Sequence, residues 1–144
     1  MSVGTRPLVQ DERVLEWVRN AHRTTRFTTS VCTGSFILGA AGLLADLTAT
    51  TYWSVLHVLE RFGATPTSER VIEHLDRRVI TAAGVSSGID MALRLVELLT
   101  DEVGARAAQL LVEYDPQPPF DAGHPERAGE EVMARVKEWS GARG

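Results

Sequence analysis

Apolar residues recur at helical spacing from Asp11 to His22, where Val14, Leu15, Trp17 and Val18 mark one face, and the pattern then changes to a β-branched run from Phe27 to Val31. Helical spacing returns from Thr33 to Leu44. A short extended run covers Leu47 to Thr51, and a helix is predicted from Trp53 to Phe62 with Val55, Leu56, Val58 and Leu59 turned inward. Gly63 stands in the position after a helix that glycine suits. Two further strands are predicted from Arg70 to Leu75 and from Arg78 to Ala83, with Asp76-Arg77 as the turn between them. Ser86-Ser87-Gly88 offers an N-cap to a helix from Ile89 to Leu99, whose Leu, Val and Met positions read as core. Asp101 opens another helix through Val103, Ala107, Leu110 and Leu111. Pro116, Pro118 and Pro119 break it into a rigid loop, and a last helix runs from about Pro125 to Trp139 before a frayed end at Ser140 to Gly144.

Strands alternating with helices in this order predict an α/β layered fold around a parallel sheet, within one domain spanning Met1 to Gly144. The apolar fraction of 44% and charged fraction of 24% are those of an ordinary globular chain with a sizeable core. A net charge of −4 with scattered basic residues argues against a nucleic-acid partner. No apolar run approaches the ~20 residues that span a bilayer, and the N-terminus has no signal-peptide core. One cysteine makes no internal disulfide, which fits a reducing cytoplasm. The histidines at 22, 57, 74 and 124 show no zinc spacing, so no structural metal site is expected.

That single cysteine changes the picture. Cys32 lies where the β-branched run Phe27–Val31 meets a helix opened by Thr33, Gly34 and Ser35. A thiol on a strand-to-helix turn lies beside the free N–H groups and positive end of a helix, which favour the thiolate. The small neighbours Gly34 and Ser35 would let a substrate approach the backbone, the logic of a nucleophile elbow with sulfur in place of oxygen. A lone cysteine between Val31 and Phe36 fits a buried inert thiol equally well on position alone. In parallel sheets functional residues collect at the carboxyl ends of strands; Cys32 and the Gly84–Gly88 stretch both lie at such ends.

The stretches SVCTGSFILGAAGLL, ATTYW, VITAAGVSSGIDMALRLV and VEYDPQPPFDAGHP, in this order, resemble the ThiJ/PfpI superfamily of the class I glutamine amidotransferase-like fold. The last stretch is similar to its isonitrile hydratase branch in particular. The resemblance implies a flavodoxin-like three-layer α/β/α sandwich with a mostly parallel sheet. It also implies Cys32 as nucleophile toward the terminal carbon of an isocyanide, Thr33 as its assisting neighbour, and hydration to an N-substituted formamide with no cofactor. Gly4, Gly34 and Tyr52 are the expected substrate-binding positions, and the expected state is a homodimer acting on a small molecule.

Two departures from the family pattern qualify these expectations. Relatives begin with a strand, a helix and further strands before the equivalent of the Asp11–His22 helix, whereas Gly4-Thr5-Arg6 is similar only to the tail of their Gly-rich loop. The domain is therefore expected to be N-terminally truncated, and the family's acidic residue has no match, since Asp11, Glu12 and Glu16 follow the loop. Missing strands would expose sheet edges. Tight association with another copy, a longer gene product and a differently folded fragment are the three explanations, a clipped or misassigned start being the simplest. Tyr52 stands where many members carry histidine, and a phenol titrating near ~10 is no base at neutral pH. That disfavours a Cys–His dyad and a glyoxalase- or deglycase-like activity. A non-catalytic ligand-binding or oxidation-sensing domain is the alternative from another class.

The remaining polar residues are assigned plain structural roles. Ser86 or Ser87 is read as a helix cap, Asp90 as complementing the helix dipole, and Asp115 and Asp121 as turn formers. His57 is placed on a helix surface and His124 in a solvated turn. Glu130, Glu131, Arg135 and Lys137 form an exposed helical face, and Tyr52 stacks beside Trp53 unless it donates to a substrate.

Overall fold

The computed structural model describes residues 5–141 and divides into two compact units, one extending to Leu110 and the other beginning at Leu111. In the first unit, helix α1 (Thr5–Leu8) precedes α2 (Glu12–Thr24), and Asp11 caps α2 by accepting the Arg13 amide at 3.0 Å. Strand β1 (Thr28–Val31) leads through a helical turn at Cys32–Gly34 into α3 (Ser35–Ala40). Strand β2 (Thr48–Ala49), a tight helical segment Trp53–Phe62 kinked at Val55, and strand β3 (Thr65–Pro66) follow. Strands β4 (Val71–His74) and β5 (Val79–Ala82) form a hairpin, and α4 (Ser87–Leu99) and α5 (Glu102–Leu111) complete the series.

Strand β5 organises this unit. It pairs in parallel with β1, Thr28 opposite Val79 and Val31 opposite Ala82, and antiparallel with β4 on its other side, giving the order β1-β5-β4. Strands β2 and β3 form a separate parallel pair. All four β5 residues are buried, as a central strand covered on both faces requires. Alternation along the strand divides the core. Val79 faces a cluster of Leu15 and Val18 from α2, Phe36 and Leu38 from α3, and Leu44 and Leu59. Ile80 and Ala82 face Met91, Leu95 and Leu98 of α4. The layers are therefore helix, sheet and helix, the α/β sandwich expected. Each fully buried Phe36, Leu44 or Leu59 side chain contributes about 1.5–3 kcal/mol relative to exposure.

Differences from the sequence reading are local. The predicted Thr33–Leu44 helix ends at Ala40, and the predicted Leu47–Thr51 strand shrinks to two residues. Neither serine before α4 is seen to act as a cap. Ser86 makes no side-chain bond to the helix end; its hydroxyl faces Arg70 Nη2 at 3.5 Å, and Ser87 is buried. Asp90 lies in the first turn of α4, as expected, and there also holds Arg70 in an ion pair of 2.6 Å. Trp17, assigned to the inner face of α2, is 70% exposed, and Val103, Leu110 and Leu111 of α5 also face outward. In α5 the cap is Asp101, whose carboxylate accepts the Gly104 amide at 2.7 Å. His57 is exposed, as expected, and Gly63 has the left-handed φ of 74° that lets glycine stop the segment before it.

The second unit carries the proline loop and α6 (Pro125–Gly141), broken into two helical pieces at Gly129. Asp121 binds Arg127 at 2.8 Å, Asp115 accepts from Gln117 Nε2 at 2.8 Å, and half-buried His124 accepts the Glu126 amide at 3.3 Å. Glu130, Glu131, Arg135 and Lys137 are exposed. Among the described residues no helix is long and apolar enough to cross a membrane.

Gly39 gives this packing a direct test. A methyl group there would lie 2.7 Å from Phe62 Cγ and 2.8 Å from its Cβ, near the fixed root of the side chain. Gly39→Ala is expected to destabilise the protein by about 1–3 kcal/mol despite alanine's better helix propensity, read as a lower urea midpoint.

Candidate active site

The turn after β1 carries the cysteine in a backbone conformation that L-residues avoid. Cys32 has φ 58°, in the left-handed region, immediately after the extended Val31. Such strain persists where surrounding bonds over-determine it. The Cys32 amide donates to the Ala83 carbonyl at 2.7 Å, fixing the turn to the end of β5. Its carbonyl accepts from the Ser35 amide, from Ser35 Oγ at 3.1 Å and from Thr51 Oγ1 at 2.9 Å. The half-buried thiol therefore stands on a turn clamped from both sides.

The next residues extend the clamp. Thr33 is buried, and its hydroxyl pairs with that of Thr5 at 2.9 Å, tying α1 to the elbow. Gly34 has ordinary helical backbone angles, and its Cα faces Ser30, whose Cβ would lie 3.7 Å from an added methyl. The Thr50 amide donates to Thr81 Oγ1 of β5 at 3.1 Å, which seats the Thr50–Thr51 segment beside the turn. Tyr52 continues that segment. Its ring lies against Trp53, centroids 5.6 Å apart and tilted by 54°, with its edge 3.9 Å from the point a methyl on Gly84 would occupy. The carboxyl ends of β1, β2 and β5 thus bring together Cys32, Thr33, Tyr52 and Gly84. Gly4 lies outside the described residues. Nothing in the sequence marks Thr5 or Thr51 for a bond to the elbow, the one hint for Thr51 being its place in the ATTYW stretch; Ser35, expected only as a small neighbour, also bonds the turn.

The charged groups near the start of the chain are engaged elsewhere. Asp11 receives Arg13 through Nε at 3.2 Å and Nη2 at 3.0 Å, and the side-chain bond from Arg13 lowers its pKa below the ordinary carboxylate value. Glu12 pairs with Arg19. His22 Nδ1 bonds Thr28 Oγ1 at 2.8 Å, while His74 Nε2 contacts the Thr48 carbonyl at 2.7 Å. Among the described residues no group of three or more His, Cys, Asp or Glu side chains is arranged to hold a metal ion.

Two predictions come from this geometry. Glycine at position 32 would relieve the left-handed strain, so Cys32→Gly is expected to raise stability by up to about 1 kcal/mol in urea unfolding. His22 has its pKa lowered below 6.5, first by burial and then by Arg78 and Arg77. The unfolded chain therefore binds a proton that the folded chain resists. This contribution to stability is complete above about pH 6.5 and is lost as pH falls through the folded value. Thermal melts across this range should show a shallower decline for His22→Gln than for the parent.

Comparison with known proteins places this geometry in context. Residues 3–98 match the DJ-1/PfpI family. The isonitrile hydratase of Pseudomonas putida is 42% identical over 134 residues, 93% of this chain and 58% of that protein. A THiJ/PfpI family protein from Pseudomonas syringae superposes with a TM-score of 0.89 at 41% identity, over 98% of this chain and 57% of that one. Drosophila melanogaster DJ-1beta shares the fold at a TM-score of 0.66 and 15% identity, covering 81% of this chain and 62% of its own. The chain thus spans somewhat more than half the length of these relatives. With a strained cysteine at the strand-to-helix turn and a family match across its sheet, it belongs to the DJ-1/PfpI family.

Proposed function

We propose that this chain carries an isonitrile hydratase-type site in which Cys32 is the nucleophile. The observation that carries the reading is the clamped Cys32 turn, with φ of 58°, in a chain 42% identical to the Pseudomonas putida isonitrile hydratase. The Cys32 thiolate adds to the terminal carbon of R–N≡C, forming the C–S bond, and a proton is delivered to that carbon to give a thioimidate. Water adds to the C=N bond. Collapse breaks the C–S bond, returns the thiolate and releases R–NH–CHO, so one water is consumed and no oxidant or cofactor is required.

Within this scheme Thr33 assists from beside the cysteine, its hydroxyl oriented through Thr5. The Ser35 and Thr51 bonds keep the turn from relaxing when the thiol is alkylated. Tyr52, braced on Trp53, presents its phenol toward a bound substrate. Gly34, half-buried and without a side chain, leaves the backbone beside the cysteine accessible to a substrate. No residue is assigned as the proton donor: Asp11 is held ionised by Arg13, and Glu12 is paired with Arg19. That engagement favours a second reading, an oxidation-sensing domain in which peroxide converts the Cys32 thiolate to a sulfenic acid and hydroxide leaves.

Formamide production from a simple alkyl isonitrile separates the two. Under the first reading the parent chain turns over, and Cys32→Ala lowers the rate at least about 1000-fold with an unchanged circular dichroism spectrum. A folded parent that makes no formamide yet takes up one equivalent of peroxide at Cys32 overturns it in favour of the second.

A further inference from the structure

Cys32 and Tyr52 lie on segments that are bonded to each other. Thr51 Oγ1 donates to the Cys32 carbonyl at 2.9 Å, and the Thr50 amide donates to Thr81 Oγ1 at 3.1 Å. The two residues before Tyr52 are thus fixed to the cysteine turn and to β5, and both are fully buried. A second route leads to the same place. The Cys32 amide bonds the Ala83 carbonyl at 2.7 Å, and the Tyr52 ring edge lies 3.9 Å from the point a methyl on Gly84, the next residue, would occupy. Paired strands stand about 4.8 Å apart, so the ring rests one residue beyond the rung that holds Cys32. Thiol and phenol are neighbours at one end of the sheet, each on a half-buried residue.

The other polar side chains of this end are engaged. Ser35 Oγ and Thr51 Oγ1 both donate to the Cys32 carbonyl, and the Thr33 hydroxyl is paired with that of Thr5. Arg70, whose carbonyl takes the Ala83 amide at 2.9 Å, turns its guanidinium to Asp90 and Ser86. Asp11 and Glu12 are occupied by Arg13 and Arg19. Tyr52 differs. Its carbonyl accepts the Val55 amide at 3.0 Å and its ring lies against Trp53, but among the described residues its phenol has no hydrogen-bond partner. A phenol carries a transferable proton at neutral pH, and tyrosine is one of the side chains that act as general acids.

We propose that Tyr52 is the general acid of this site, giving its phenolic proton to the isonitrile carbon as Cys32 attacks it. The assignment rests on the isonitrile hydratase reading of the same site. The sulfur electron pair forms the C–S bond, and the pair left on carbon takes the proton as the phenol O–H bond breaks. A thioimidate and a phenolate result. The phenolate recovers a proton from the water whose oxygen adds to the same carbon, while the C=N pair moves to nitrogen. The second water proton passes to nitrogen and the C–S bond breaks, leaving R–NH–CHO, the Cys32 thiolate and a protonated Tyr52. Acid and nucleophile must meet at one carbon atom. A donor fastened through Thr51 to the cysteine's own turn holds that geometry better than one on a separate element.

Tyr52→Phe tests the assignment, because it keeps the ring that packs on Trp53 and removes only the O–H. With a simple alkyl isonitrile this variant is expected to lower kcat by at least about 100-fold while leaving KM within about threefold of the parent. Alkylation of Cys32 by iodoacetamide, which needs no proton donor, should run at the parental rate in the same variant. A purely structural role for the side chain would slow both reactions together. Tyr52→His puts a different proton donor in the same place. It should recover at least about tenfold of the lost rate, with turnover falling as pH rises past about 6.5, where imidazolium gives up its proton. The assignment is overturned, and the hydratase reading left standing, if Tyr52→Phe makes formamide at close to the parental kcat. It is overturned in the same way if the loss of turnover is matched by an equal loss of Cys32 alkylation. A folded parent chain that makes no formamide overturns the hydratase reading and this assignment together.

Discussion

The parallel pairing of β1 with β5 is the interaction from which the other features of the first unit follow. It places Val79 and Ile80 on opposite faces, so that α2 and α3 gather over one and α4 over the other. It sets the ends of both strands side by side, which allows the Ala83 carbonyl to take the Cys32 amide. Without that bond the chain would have little reason to enter a left-handed turn at a residue with a β-carbon. The hairpin partner β4 then covers the far edge of β5, and Arg70 just before it reaches across to Asp90 on α4. Sheet, helices and elbow are consequences of one ladder.

Close approach on both faces makes this arrangement narrow in its tolerances. Gly88 at the start of α4 faces Val31, with a methyl there only 3.0 Å from Val31 Cγ2, and Gly39 does the same toward Phe62. These glycines allow helices to sit directly on the strand and on the Trp53–Phe62 segment. At the other end of β1, Thr28 is shared between His22 and Thr25, and Arg78 donates to the Thr25 carbonyl at 2.8 Å. The cysteine-bearing strand is thus anchored at its first residue by polar bonds and at its last by packing.

Much of this was legible in the sequence because the period of the apolar positions changes cleanly. The Phe27–Val31 and Arg78–Ala83 runs are β-branched and bounded by turn residues, and both are strands at nearly the expected limits. The position of Cys32 at a junction was equally plain, since Gly34 and Ser35 follow it at once. Bonds to the backbone were not legible. Thr51 and Thr5 look like ordinary threonines until folding brings them within 2.9 Å of Cys32 and Thr33. The serines before α4 misled for a related reason: Ser86 has the right type and place for a cap, but Arg70, sixteen residues earlier, approaches its hydroxyl. Trp17 followed the helical period of α2, and the period alone does not say whether anything lies opposite that face.

The backbone at Cys32 has a consequence for how this site can change over evolutionary time. A turn at φ 58° excludes valine, isoleucine and threonine on steric grounds but accepts glycine, asparagine, aspartate and, at some cost, serine or cysteine. Glycine and serine are each one nucleotide change from a cysteine codon. The sulfur can therefore be lost while the turn and everything clamped to it survive. Descendants of such a chain would drift readily toward inert or purely binding forms, since loss of the thiol carries no penalty in folding to hold it in place.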